Sequence, residues 1–220
     1  MQYIVNHIPK STPHNRRPGI VMTPETLTIH STGNLDSSAA NERGWLINPK
    51  NNRQASWHIV VDDKEAIEAI PLREIAWHAG DGGGPGNWKS IGVEICESGN
   101  RAKTLQNAVE LVAELLKQRK WGVDKLRRHF DWSGKTCPGI MAENNWAGWE
   151  KFKVDLDRKL TTPDQALPKI DRRVEGTTNG KPVTLDAYLI NGLTYVPLRI
   201  IGEALGAKVW GDGRKYSIDK

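Results

Sequence analysis

The sequence predicts an α/β fold, a central sheet flanked by helices, followed by a small α+β unit at the C-terminal end. Three observations carry this reading. Short runs alternate polar and apolar residues with period two, as half-buried strands do. One long segment instead repeats its apolar residues at helical spacing. Beyond Pro168 the chain turns to short strand-like runs punctuated by Asn-Gly pairs. At roughly 150 residues per domain, 220 residues make one large domain or two unequal ones. The boundaries read as 1–160, a linker 161–168, and a second unit 169–220.

Lys10 to Gly19, rich in Pro, Ser, Asn and Arg, reads as an irregular arm. Thr26-Leu27-Thr28-Ile29-His30 alternates and predicts a strand with His30 at its end. Trp57 to Val61 reads as a second strand, closed by a turn at Asp62-Asp63-Lys64. Ser90 to Cys96 is a third, with Ile91, Val93 and Ile95 on one face and Glu94 and Cys96 on the other. Between the second and third lies Ala79 to Asn87, a glycine-rich loop able to approach a ligand closely. It lacks the Lys-Ser/Thr ending of a phosphate-binding loop and is expected to open no helix. Thr104 to Lys120 carries Leu105, Ala108, Val109, Val112, Leu115 and Leu116 on one stripe, and so packs on a sheet. Trp149 to Leu160 reads as a second helix, stopped by Thr161-Thr162-Pro163-Asp164. In the C-terminal unit, Pro182–Leu185 and Thr194–Val196 read as strands. Pro197–Leu205 reads as a helix with Gly206 after its end.

Composition removes several function classes. Hydrophobic residues make up 38% and the mean hydropathy is −0.56, with no stretch near the ~20 apolar residues a membrane span needs. No membrane insertion is expected. Met1 to Lys10 lacks the apolar core of a signal peptide, so the expected location is cytoplasmic until the membrane is permeabilised. The net charge of +5 is spread without a basic run, which makes nucleic acid a poor partner and leaves an anionic wall polymer compatible. Cys96 and Cys137 cannot build a disulfide framework. Nothing demands more than a monomer. Nine tryptophans against two phenylalanines suit either contact platforms or core packing.

The chemistry concentrates at four residues. His30 ends a strand, and His129 stands eight positions before Cys137 in a segment whose Ser133-Gly134 can turn back. Two imidazoles, one thiolate and an open fourth position are the layout of a catalytic zinc site. Spacing alone leaves the plainer roles open: a hydrogen-bonded strand-end histidine and a buried apolar cysteine are both commoner. Glu94 is the sharper signal, because a carboxylate in a Val/Ile strand costs free energy unless it is paired, solvated or facing a cleft.

Taken in order, Thr28-Ile29-His30, Ser56-Trp57-His58, Asn87-Trp88-Lys89-Ser90-Ile91-Gly92-Val93-Glu94 and His129-x7-Cys137-Pro138 resemble the zinc-dependent N-acetylmuramoyl-L-alanine amidases. That superfamily includes phage endolysins and peptidoglycan recognition proteins. The likeness covers roughly residues 20–155 and is strongest to endolysins of phages of Gram-positive bacilli. It implies a mixed central β-sheet with Zn²⁺ at the carboxyl ends of its strands. It further implies His30, His129 and Cys137 as zinc ligands, Glu94 as general base and Lys135 as transition-state stabiliser. Cys137 favours hydrolysis over mere recognition, since non-catalytic relatives commonly lack the thiol.

The implied partner is peptidoglycan, glycan strand plus stem peptide. His78 is expected to line the cleft, and Trp57, Asn87 and Trp88 to bind substrate. His58 is expected to support the metal site, and Cys96 to pack near it. His7 and His14 receive no role. Residues 170–219 resemble the small domain called copper amine oxidase N-terminal-like, or stalk domain, which implies a wall-targeting or spacing module without metal ligands. The rival readings are a non-catalytic recognition module and a zinc peptidase cutting within the stem peptide. A glycosidase would need a second carboxylate beside Glu94.

Overall fold

The computed structural model describes residues 1–161, 172–178, 181–190, 193–195, 202, 206, 208–211 and 216–219. The chain divides into two compact units, Met1–Thr162 and Pro163–Lys220.

The first unit is built on six strands: β1 (Gln2–Val5), β2 (Thr26–Ser31), β3 (Ile59–Val61), β4 (Glu65–Glu68), β5 (Ser90–Ile95) and β6 (Leu126–Arg128). They form one sheet in the order β1-β4-β3-β5-β2-β6. Only β3 and β4 are antiparallel, and every other neighbouring pair runs parallel. The sheet is mixed, as expected. Its helices are α1 (Ala39–Ile47), α2 (Pro85–Trp88), α3 (Arg101–Arg119), α4 (Phe130–Ser133) and α5 (Glu143–Thr161).

Strand alternation divides the apolar residues between two cores. Leu27 and Ile29 of β2, Ile59 and Val61 of β3, and Ile91, Val93 and Ile95 of β5 meet the buried stripes of α3 and α5. On the other side Val60 and Ile67 join Ala39 and Leu46 of α1, with Trp57 and Cys96. The faces of β2 and β5 that turn away from α3 carry Thr28, His30, Ser90, Gly92 and Glu94. Helix α3 starts at Asn100, whose side chain accepts from the Lys103 N–H, and ends at Lys120 in the left-handed conformation.

Several elements differ from the sequence expectation. The second strand starts at Ile59 instead of Trp57, although the His58 N–H still bonds the Gly92 carbonyl of β5. The glycine-rich loop does open a helix, the one-turn α2, with Pro85 at the first helical position where its missing N–H costs nothing. The last helix begins earlier than Trp149, but Asn144, Asn145 and Trp146 have left-handed φ values of 49°, 55° and 67°. The arm is anchored rather than loose. Arg16, fully buried, donates to the carbonyls of Arg53 (2.9 Å), Leu46 (2.8 Å) and Asn51.

In the second unit β7 (Arg172–Thr178), β8 (Lys181–Ile190) and β9 (Leu193–Tyr195) form an antiparallel sheet, and β10 (Lys208–Gly211) pairs with β11 (Tyr216–Asp219). Thr178 pairs with Lys181 and Ile190 with Leu193, and the two Asn-Gly pairs themselves lie outside the described residues. Residues 162–168 and, apart from Gly202, the expected helix Pro197–Leu205 lie outside the described residues.

Candidate metal centre and active site

The site assembles where β2, β5 and β6 end. His30 is the fifth residue of β2 and stands in register with Glu94 of the parallel β5. His129 follows β6 directly, its N–H bonded to the Ile29 carbonyl. Cys137 returns to the same place through α4, not through an irregular loop. Gly134 caps that turn at φ 73°, a conformation glycine adopts freely, and the Phe130 N–H bonds the Cys137 carbonyl. The Gly139 N–H to Ser31 Oγ bond ties the end of the segment to β2. Arg128 fixes its start by donating from Nε and Nη2 to Asp131 Oδ1, and by stacking over Trp146 at 4.3 Å.

His30 Nδ1 lies 3.1 Å from His129 Nδ1 and 3.8 Å from Cys137 Sγ. The three donor atoms all fall within 4.8 Å of one another, and all three residues are buried. Zinc bonds of about 2.0–2.1 Å to nitrogen and about 2.3 Å to sulfur set tetrahedral edges of roughly 3.3–3.6 Å. The observed edges bracket that range, and the donor set is one zinc favours. Glu94 completes the constellation: its Oε1 is 3.9 Å from His30 Nδ1, while its buried Oε2 has no hydrogen-bond partner. An orphaned carboxylate oxygen beside three donors fits a bound cation and its water.

Burial drives the electrostatics. It holds His30 well below the ordinary histidine range, with His78 and His129 adding to the effect. It lowers His129 to about 4, with the Lys135 charge second. It pushes Glu94 up to about 8, with Glu42 next, and the Cys137 thiol up to about 12, with Glu94 next. A bound dication would reverse the last two, since it favours carboxylate and thiolate. Lys135 is exposed, and its charge lowers all four groups.

The four expected substrate contacts divide. Trp88 is 38% exposed and available to a ligand. Trp57 requires correction: it is buried and stacked on Trp45, centroids 5.7 Å apart, in the core on the α1 side. Asn87 is buried as well, with its amide spent on the backbone of His78, Ala79 and Gly82. His78 does not line a cleft. Its buried ring bonds His30 Nε2 and the Ser90 carbonyl, both at 3.1 Å. His58 stands behind it, bonded to the Glu74 carbonyl and the Gly92 N–H. Cys96 is a packed thiol, and His7 pairs with Glu68. Sequence reading missed Thr28 and Ser90, whose hydroxyls bond at 2.6 Å, and Trp132, whose indole donates to Thr28. A signal existed: both hydroxyls lie an even number of positions before His30 and Glu94, hence on the same strand faces.

Fold and site together define an α/β domain with two histidines and one cysteine placed to hold a metal ion and a buried carboxylate beside them. Residues 21–140 match the family described as N-acetylmuramoyl-L-alanine amidase, and residues 173–219 match the copper amine oxidase N-terminal domain. The chain belongs to the N-acetylmuramoyl-L-alanine amidase family. It is 46% identical over 145 residues to the amidase XlyB of Bacillus subtilis, covering 63% of this chain and 44% of that protein. To CwlA of the same organism it is 50% identical over 131 residues, covering 57% and 47%. It thus spans less than half the length of these curated relatives. The catalytic domain of XlyA superposes with a TM-score of 0.65 at 39% identity, covering 71% of this chain and 99% of that one. PlyL gives 0.63 at 37%, covering 71% and 97%. Among the described residues no helix is long and apolar enough to cross a membrane.

Proposed function

We propose that residues 1–160 form a zinc-dependent amidase that cleaves the bond between N-acetylmuramic acid and L-alanine in Gram-positive peptidoglycan, as endolysins do. The observation that carries this reading is the orphaned Glu94 carboxylate beside the donors of His30, His129 and Cys137. Those three residues would hold Zn²⁺, which when bound polarises the scissile carbonyl and acidifies a water. Glu94 takes the proton of the attacking water and passes it to the leaving amine of L-alanine, a role worth about 10²–10⁴-fold. Burial in an apolar strand works against the Glu94 carboxylate, and a bound dication would favour the charged form that accepts the proton. Lys135, exposed and without an ion-pair partner among the described residues, is free to meet the developing oxyanion. Trp88 offers a ring face to the glycan or stem peptide.

The C-terminal unit, 169–220, is proposed as a wall-binding or spacing module joined by the linker 161–168. The enzyme is proposed to act as a monomer on the wall, with no nucleic-acid partner and no membrane insertion.

The test is lysis of purified Gram-positive walls followed by turbidity, with new termini identified by mass. Wild type should free L-alanine amino groups without new reducing sugars, and EDTA should stop lysis until zinc is restored. Glu94→Ala should lower the rate by at least about 10²-fold. Cys137→Ala should abolish zinc-dependent activity. Walls that are bound but intact would make the protein a recognition module. New termini inside the stem peptide would make it a peptidase.

A further inference from the structure

We propose that His78, in a dipeptide His78-Ala79 clamped by Asn87, sets the His30 imidazole in one tautomer, Nε2 protonated and Nδ1 bare, so that its lone pair faces His129 and Cys137. The inference rests on the zinc reading for its purpose but not for its geometry.

The argument begins at carbonyls, which can only accept. His78 Nε2 lies 3.1 Å from the Ser90 carbonyl, so that nitrogen carries the proton. A neutral imidazole has one N–H, which leaves His78 Nδ1 bare and able only to accept. Its partner is His30 Nε2 at 3.1 Å, and that nitrogen must therefore donate. His30 Nδ1 is then bare, and it is the atom facing His129 and Cys137.

His129 stands on the other side of that bare nitrogen, its Nδ1 3.1 Å from His30 Nδ1. Its Nε2 faces Gly80, where a Cβ would lie 3.3 Å from it.

Asn87 makes the dipeptide rigid. Its Oδ1 accepts from both the His78 and Ala79 N–H groups at 2.8 Å, and its Nδ2 donates to the Gly82 carbonyl at 3.0 Å. The Asp81 carboxylate accepts from the Gly86 and Asn87 N–H groups. The glycine-rich loop is thus wound around one amide that serves the metal centre. Gly92 is required beneath it, because a Cβ there would stand 2.7 Å from His78 Cγ. His78 and Asn87 are accordingly positioning residues that act through the ligands.

The test uses the ¹⁵N-labelled full chain, metal-free and zinc-loaded. Long-range ¹H–¹⁵N correlation in the metal-free wild type should find His30 and His78 both protonated at Nε2. His78→Leu should move His30 toward a mixture of tautomers and weaken zinc about 10–100-fold in chelator competition. His78→Gln should restore affinity, because its amide accepts from His30 and donates to Ser90. A wild-type His30 protonated at Nδ1 overturns the inference without any variant. So does a folded His78→Leu that keeps both the His30 pattern and wild-type zinc affinity, or a His78→Gln as weak as His78→Leu. If the tautomers are as stated but zinc does not bind even at millimolar concentration, the metal reading fails and the tautomer assignment stands.

Discussion

Trp57 and Trp88 show how far a residue's role depends on what lies beside it. Both adjoin site motifs, yet Trp57 is 7% exposed and stacked on Trp45 while Trp88 is 38% exposed. Trp57→Ala should lower stability by about 3–5 kcal/mol, the cost of emptying a buried aromatic site. Trp88→Ala should stay within about 0.5 kcal/mol of wild type and act on substrate affinity instead. Urea midpoints separate the two, and an unshifted Trp57→Ala would return that residue to the groove. Gly92 is the second case. Gly92→Ala drives a methyl into the His78 ring, so it should cost about 1–3 kcal/mol and weaken zinc together with stability. Thermal melts with and without zinc would show whether both losses occur.

Elements with a strong internal period were legible, and those without one were not. β2 and β5 alternate, and α3 repeats buried residues over five turns, so each declares itself locally. β6 is three residues, two of them arginine, and β1 is a largely exposed edge strand, so neither has a pattern to read. Helix α1 buries only Ala39, Glu42 and Leu46, one of them charged. The arm before β2 is held by tertiary contacts that no period announces. Arg17 grips the Glu74 carboxylate in a bidentate bond of 2.8 and 3.0 Å, both side chains nearly buried.

This pair makes a pH prediction. The Arg17 hydrogen bond is the first cause that lowers Glu74 below the ordinary 4.5, with Lys10 and His7 adding charge. A folded value below the unfolded one means stability present above about 4.5 and lost as the pH falls through the folded value. Glu74→Gln should therefore be less stable than wild type by about 1.5–3 kcal/mol at neutral pH. That gap should close as the pH drops below about 4.5. A gap that persists at acid pH would assign the loss to packing.

At the scale of the whole molecule the two units make separable predictions. The first spans Met1–Thr162, and the XlyA catalytic domain matches this chain over 99% of its own length, so the unit corresponds to a domain solved alone. Residues 1–161 by themselves should hydrolyse soluble muropeptides within about twofold of the full chain, as expected for separately folding domains. They should sediment with purified walls far less. Undiminished wall retention would remove the C-terminal unit from binding.

The sequence by itself determined that His30 ends a strand and that Glu94 sits among Ile91, Val93 and Ile95, because period-two alternation is a local property, while His129 and Cys137 became candidate donors through the family resemblance. Tertiary structure alone decided which neighbours serve those residues. The bonds around the candidate metal centre join positions 48, 99 and 107 residues apart, and no local pattern encodes such pairings. Register does: placing His30 opposite Glu94 leaves room over Gly92 for one ring, and His78 fills it. A polar residue buried in that position must be hydrogen-bonded, and the Ser90 carbonyl behind it leaves only one way to arrange the protons.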